Sequence, residues 1–196
     1  MSSYFLLLAV MFFTISSNAQ EKPEGLFINS KAPGFKAMDQ NGVEVRLKDV
    51  IKDSLVVLVF YRGQWCPYCN KHLKKLEDSL IFLKEKGARL IAISPEKPEN
   101  IKKTVDKTSA SYSVIYDKDM KIMKAYNVAF EVDEKTVSRY KNANIDLLEA
   151  NGQKEKAYLP VPALYIINKE GTIKFRFFEP DYKKRASVLE ILEQLR

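Results

Sequence analysis

Residues Leu55–Tyr61 form an uncharged run, Leu-Val-Val-Leu-Val-Phe-Tyr, and the chain then reads Trp65-Cys66-Pro67-Tyr68-Cys69. A continuous apolar run rich in β-branched residues suits a strand buried on both faces, so the fold must cover a sheet from two sides. Beyond the cysteines, Leu73, Leu76, Leu80 and Leu83 recur at intervals of three and four, the spacing of one helix face. Gly87 supplies a stop. This pattern predicts a helix over about 66–86. The junction between strand and helix therefore holds the only two cysteines of the 196-residue chain.

Other segments fit around that unit. Asn41-Gly42 between Phe35–Met38 and Val43–Arg46 predicts a β-hairpin. Arg89–Ser94 reads as a strand, Pro98–Thr108 as a helix and Val114–Tyr116 as a strand, with Asp117 or Asp119 capping a short helix toward Tyr126. Residues 129–159 are mixed and polar, with one helix near Glu134–Asn142. So long a stretch is unusual between regular elements, and it is expected to form a flap over the site that sets substrate choice. Ala163–Asn168 and Thr172–Phe178 flank a Lys-Glu-Gly turn, and Asp181 is expected to cap a last helix with Leu189, Leu192 and Leu195 inward. Strand–helix–strand units imply a parallel sheet centre with right-handed crossovers, and the last hairpin adds antiparallel strands at one edge. The expected class is α/β, a central mixed sheet flanked by helices with an N-terminal hairpin extension.

Two cysteines three apart at a helix start favour reactivity. The first helical turn presents unpaired N–H groups and the positive end of the dipole, which stabilise a thiolate. The thiolate is the nucleophile, and such settings lower a cysteine pKa from about 8.5 into the range of about 3.5–7.5. Arg62 adds a positive charge nearby. Three other readings compete. A structural disulfide here closes a loop of about four residues, worth only about 2 kcal/mol. Zinc needs more ligands than His72, the single histidine, supplies without recruiting carboxylates. Inert buried thiols sit poorly with the strand-to-helix position and Pro67. The residues favour a dithiol–disulfide cycle. His72, one turn after Cys69, and Glu96, after the strand ending at Ser94, are lesser candidates for proton transfer. No nucleotide loop or Ser/His/Asp set is present, and no cofactor or metal is expected.

Phe60-Tyr61-Arg62-Gly63-Gln64-Trp65-Cys66-Pro67-Tyr68-Cys69 resembles a thioredoxin-type Trp-Cys-x-x-Cys centre. Ala32-Pro33-Gly34-Phe35 with Asp39-Gln40-Asn41-Gly42, the strand Ile91-Ala92-Ile93-Ser94 and the late strand Tyr165-Ile166-Ile167-Asn168 resemble the alkyl hydroperoxide reductase/thiol-specific antioxidant family, in its peroxiredoxin-like branch. The resemblance covers roughly residues 25–196 and implies a thioredoxin-like fold. It also implies hydroperoxide reduction coupled to a thioredoxin-like or small-thiol electron donor, with thiol–disulfide exchange on exported proteins as the other enzymatic reading. A redox-responsive binding module is the non-enzymatic one. Peroxiredoxins carry Pro-x-x-x-Thr/Ser-x-x-Cys after this Phe-Tyr. Laid over without gaps, the proline falls on Arg62, the Thr/Ser on Cys66, the peroxidatic cysteine on Cys69 and a late-strand arginine on Pro162. Thioredoxins place a cis proline before the late strand, so the resemblance also implies that Pro162 is cis and packs against the cysteine pair. Register points to Cys69 as the sulfur that attacks peroxide, whereas nearness to the helix start and the expected greater exposure point to Cys66. Thioredoxins also hold a buried acid where this chain has Phe60.

The first twenty residues carry no charge and include the apolar run Tyr4 to Ile15, too short to span a bilayer, followed by Ser17-Asn18-Ala19. Residues 1–19 are expected to be a signal peptide, giving an exported periplasmic or extracellular protein with no stable membrane insertion after cleavage. The net charge is +7, but lysines alternate with acids, as in Lys71-His72-Leu73-Lys74-Lys75-Leu76-Glu77-Asp78. That interleaving suits a solvated helix face rather than a nucleic-acid stripe.

Overall fold

The computed structural model describes residues 22–195, so the segment read as a signal peptide lies outside them. Among the described residues no helix is long and apolar enough to cross a membrane. The hairpin forms as expected from β1 (Lys36–Met38) and β2 (Glu44–Arg46), and α1 (Leu47–Asp53) follows. The apolar run becomes β3 (Leu55–Phe60), which pairs parallel with β4 (Ala88–Ser94) and antiparallel with β8 (Ala163–Ile167). With β5 (Ser113–Tyr116) and β9 (Ile173–Phe178), the sheet order is β5-β4-β3-β8-β9, a mixed sheet with β3 at its centre.

Alternation along β3 serves two cores. Val57, Val59 and Tyr61 pack with α2 (Pro67–Asp78), α3 (Leu80–Glu85), α4 (Pro98–Thr108) and α8 (Val188–Gln194). Val56, Leu58 and Phe60 pack against the hairpin, α1 and α5 (Lys121–Ala125) on the other face. Burial of both faces is why this strand reads as unbroken apolar sequence. Phe60 turns away from the cysteines, stacking near Tyr126 and Tyr165. Asp117 holds the start of α5, its carboxylate accepting from Ile122 N–H (2.9 Å) and Met123 N–H (2.7 Å).

The N-terminal segment closes both sheet edges. At β5, Gln40 N–H donates to the Val114 carbonyl (3.0 Å), and Val114 N–H donates to Gln40 Oε1 (2.6 Å). At β9, Asn29 N–H donates to the Ile173 carbonyl (2.8 Å), while Ile173 N–H donates to the Ser30 carbonyl (3.0 Å).

Two helices depart from expectation. The helix over 66–86 divides at Ser79 (φ −108°, ψ 7°), which separates α2 from α3 and lets Leu80 and Leu83 turn inward. The last helix is capped not by Asp181 but by Ser187, in a capping box with Glu190. Consequently Leu189 is 68% exposed, while Ile191 and Leu195 are buried. The residues before Ser187 are irregular, with Asp181 capping only a turn through Lys183 N–H (3.1 Å).

Residues 129–160 hold more structure than the sequence announces. β6 (Ala129–Glu131) pairs antiparallel with β7 (Tyr158–Pro160), and between them lie α6 (Glu134–Asn142), as expected, and α7 (Leu147–Asn151). Val132, Leu147, Ala157 and Leu159 give this insert its own small core, against which Trp65 packs.

Candidate active site

The loop after β3 delivers Arg62 to Cys66 and is held at several points. Cys66 N–H donates to the Gly63 carbonyl (3.0 Å), Asn70 Nδ2 to the Gln64 carbonyl (2.7 Å), and Gln64 N–H to Glu96 Oε1 (2.8 Å). Gly63 is required here, because a Cβ would meet Trp65 Nε1 at 2.5 Å and Glu96 Oε1 at 2.6 Å. Pro67 opens α2 at the position where a missing N–H costs nothing. Cys66 is the N-cap, its sulfur accepting from Cys69 N–H at 3.3 Å. The two cysteines form a disulfide, and both are buried at 0% and 1% exposure. The expected greater exposure of Cys66 is thus corrected, since both cysteines lie within the core cluster against which Trp65 packs.

Each sulfur faces its own guanidinium. Arg62 Nη2 donates to Cys66 Sγ at 3.5 Å, and Arg185 Nη2 donates to Cys69 Sγ at 3.2 Å. Arg62 is only 6% exposed. Its guanidinium carbon lies 4.1 Å from the Tyr182 ring centroid and 5.1 Å from that of Trp65, and Nη1 donates to Tyr140 Oη at 2.9 Å. Tyr140 comes from α6 and meets Trp65 edge-on at 4.9 Å, so the insert reaches the site through this residue. Arg185 is anchored by the Tyr182 and Lys184 carbonyls, both at 2.6 Å. Among the described residues no carboxylate forms an ion pair with either arginine.

Burial lowers the pKa of Arg62. Burial and then the charge of Arg62 bring Arg185 down to about 10, against the opposing pull of Asp181. Both stay cationic at neutral pH. They face a neutral disulfide now and would face thiolates after reduction, which is the charge state they favour.

Of the residues singled out from sequence, Cys66, Cys69 and Arg62 come together. Pro162 does not behave as expected, because every peptide bond among the described residues is trans. Val161 N–H donates to the Val128 carbonyl (2.8 Å) and the Pro162 carbonyl accepts from Glu179 N–H (3.2 Å). These bonds hold the chain extended from β7 into β8, a path a trans bond continues. His72 is not a surface residue; it is 7% exposed, and burial together with Arg185 pushes its pKa down to about 3. It is neutral at physiological pH, with a single ring proton. Arg185, Tyr182 and Tyr140 are additions to the site. Lys183-Lys184-Arg185 looks in sequence like an ordinary solvated basic run.

Glu96 is fully buried and serves the loop rather than the sulfurs, accepting from Gln64 N–H and from the Thr104 hydroxyl (3.4 Å). Burial pushes its pKa up from 4.5 to about 7, while those hydrogen bonds oppose the shift. Between these values the folded protein keeps a proton that the unfolded chain has released, so stability falls as pH rises through about 7. Urea unfolding is expected to show a loss of order 1–3 kcal/mol between pH 5 and pH 8. Glu96→Gln, which keeps the acceptor and removes the proton, is expected to flatten that slope. An unchanged slope removes Glu96 as its cause.

A family model described as the AhpC/TSA family matches residues 28–176. The chain belongs to the AhpC/TSA family. Within it, this redoxin is 23% identical over 170 residues to the thiol-disulfide oxidoreductase ResA of Geobacillus kaustophilus, covering 86% of this chain and 79% of that protein. It is 29% identical over 97 residues to the peroxiredoxin Bcp of Escherichia coli, covering 50% of this chain and 62% of that one. The peroxidoxin BcpB of Mycobacterium tuberculosis superposes with a TM-score of 0.65 at 17% identity, over 86% of this chain and 95% of the other. The fold is thioredoxin-like, and the redoxin is a thiol oxidoreductase built on the Cys66–Cys69 pair.

Proposed function

We propose that this redoxin reduces hydroperoxides through a Cys66/Cys69 dithiol–disulfide cycle, outside the cytoplasm, with electrons from an external thiol donor. The observation that carries the reading is the provision of one buried guanidinium for each sulfur. The Cys69 thiolate attacks the terminal peroxide oxygen, the O–O bond breaks, and the leaving oxygen takes a proton to become an alcohol or water. Cys69 is then a sulfenic acid. The Cys66 thiolate attacks that sulfur, the S–S bond forms, and the departing hydroxide is protonated to water. To reset the centre, a donor thiolate attacks Cys66 and expels the Cys69 thiolate toward Arg185. A second donor thiol then frees Cys66, whose thiolate is held by Cys69 N–H and Arg62.

A second reading, thiol–disulfide exchange without peroxide, is favoured by Cys66 and Arg62 standing where peroxiredoxins keep Thr/Ser and Pro. Steady-state assays separate the two. Hydroperoxide consumption matched by two donor thiols oxidised per peroxide is the expected result, and turnover of protein disulfides alone would overturn the lead reading. Export rests on the apolar run from Tyr4 to Ile15 and on Ser17-Asn18-Ala19. Protein for these assays, taken from the envelope or secreted fraction, is expected to begin at Gln20 by mass spectrometry. An intact Met1 there removes the signal peptide.

A further inference from the structure

Beside the disulfide, a groove of ≈ 580 Å³ runs between α2 and the segment leading into α8. Tyr68, Ala186 and Val188 give it an apolar floor, while Lys71, Lys75, Lys183 and Arg185 stand along it. Among the described residues none of these four cations has an ion-pair partner. The single acid in the lining, Asp78, is already taken by Lys74. His72 also lines the groove, and its Nε2 is buried with no hydrogen-bond partner. Neutral imidazole offers one donor and one acceptor, so the site meets a ligand with a polar main chain as well as with charge.

We propose that this groove docks an acidic peptide segment beside the reactive cysteine of the protein that serves as thiol donor. Carboxylates of that segment pair with Lys71, Lys75 and Lys183, a backbone group meets His72 Nε2, and apolar stems rest on Tyr68 and Val188. The net charge of +7 steers such a partner toward the molecule from a distance. Position ties docking to chemistry, because Arg185 both lines the groove and donates to Cys69 Sγ. A segment held there brings its thiolate to the disulfide, attacks Cys66, and lets the Cys69 thiolate leave toward Arg185.

The inference rests on the proposed function only in requiring that a thiol reduces the disulfide, so its test omits peroxide. The probes are two synthetic dithiol peptides with flanking glutamates in one and glutamines in the other. Reduction of the Cys66–Cys69 disulfide is followed by acid quench, alkylation and mass spectrometry. Wild type is expected to react about tenfold faster with the glutamate peptide, the advantage shrinking as salt rises. In the triple variant Lys71→Gln/Lys75→Gln/Lys183→Gln the glutamate-to-glutamine rate ratio is expected to fall to about one. A matched variant losing Lys86, Lys102 and Lys135, none of which lines the groove, is expected to keep the preference. Equal rates for the two peptides in wild type, or a ratio that survives the triple substitution, overturn the proposal. Failure of peroxide turnover would instead strike the functional reading and leave this ratio untouched.

Discussion

Cys69→Ser is expected to abolish the reaction with hydroperoxide, while Cys66→Ser still forms a trappable sulfenic acid on Cys69 within one turnover. Both sulfurs are donor-rich, so hydrogen bonding alone does not separate them. Cys66 receives Cys69 N–H and Arg62 Nη2, whereas Cys69 receives Arg185 Nη2 at the shorter distance of 3.2 Å. The proposed cycle assigns the attack to Cys69 on register, because a gapless overlay on the resembling family's motif sets the peroxidatic cysteine on Cys69 and the Thr/Ser on Cys66. Loss of an attacking sulfur should lower the single-turnover rate on the order of 10³-fold or more. Dimedone trapping with mass spectrometry reads the sulfenic acid directly. If Cys66 carries the label in the Cys69→Ser protein, the two roles are reversed. If no protein form reacts, the disulfide-exchange reading takes over.

The second large effect concerns the arginines. In a Cys69→Ser background, Arg62→Met is expected to raise the Cys66 thiol pKa by about 1–2 units, because an opposite charge at this range lowers a thiol's pKa. In a Cys66→Ser background, Arg185→Met is expected to do the same for Cys69. The pH dependence of alkylation by iodoacetamide measures both, with the midpoint moving upward and Arg62→Lys restoring part of the shift. In the otherwise intact protein, each substitution is also expected to make the disulfide harder to reduce. Stabilisation of the thiolate favours the reduced state, and about 1.4 kcal/mol of it corresponds to about 30 mV. The discriminating feature is the pairing. Arginines that only brace the loop would leave both midpoints in place, and a diffuse field would move both sulfurs with either substitution.

What the sequence made legible was whatever local pattern encodes. β3 is buried on both faces and so appears as an unbroken apolar run, and the β1–β2 hairpin is marked by Gly42, which takes a positive φ of 74°, and by Asp39, whose carboxylate accepts from the Asn41 and Val43 N–H groups. The cysteines stand out through their spacing and their place at a helix start. Arg185 stayed hidden because its meeting with Cys69 spans 116 residues and its own neighbourhood is a basic run. Misplacing the last helix cap at Asp181 concealed it further, since the irregular chain before Ser187 is what carries Tyr182 and Arg185 inward. Tyr140 lies on a helix without a single buried residue, so no apolar periodicity points at it. Pro162 shows the limit of resemblance. A motif borrowed from thioredoxins suggested a cis bond, but hydrogen bonds to Val128 and Glu179 hold an extended path.

The N-terminal brackets at the two sheet edges bear on how the molecule is made. Residues 29–32 are made long before β9, yet they seal it. The nascent chain therefore carries at least one unsealed strand edge until synthesis is nearly complete, and such edges invite pairing with other chains. Under the proposed export, a polypeptide kept unfolded until its whole length has crossed a membrane, and released there in one piece, would escape that period of exposure.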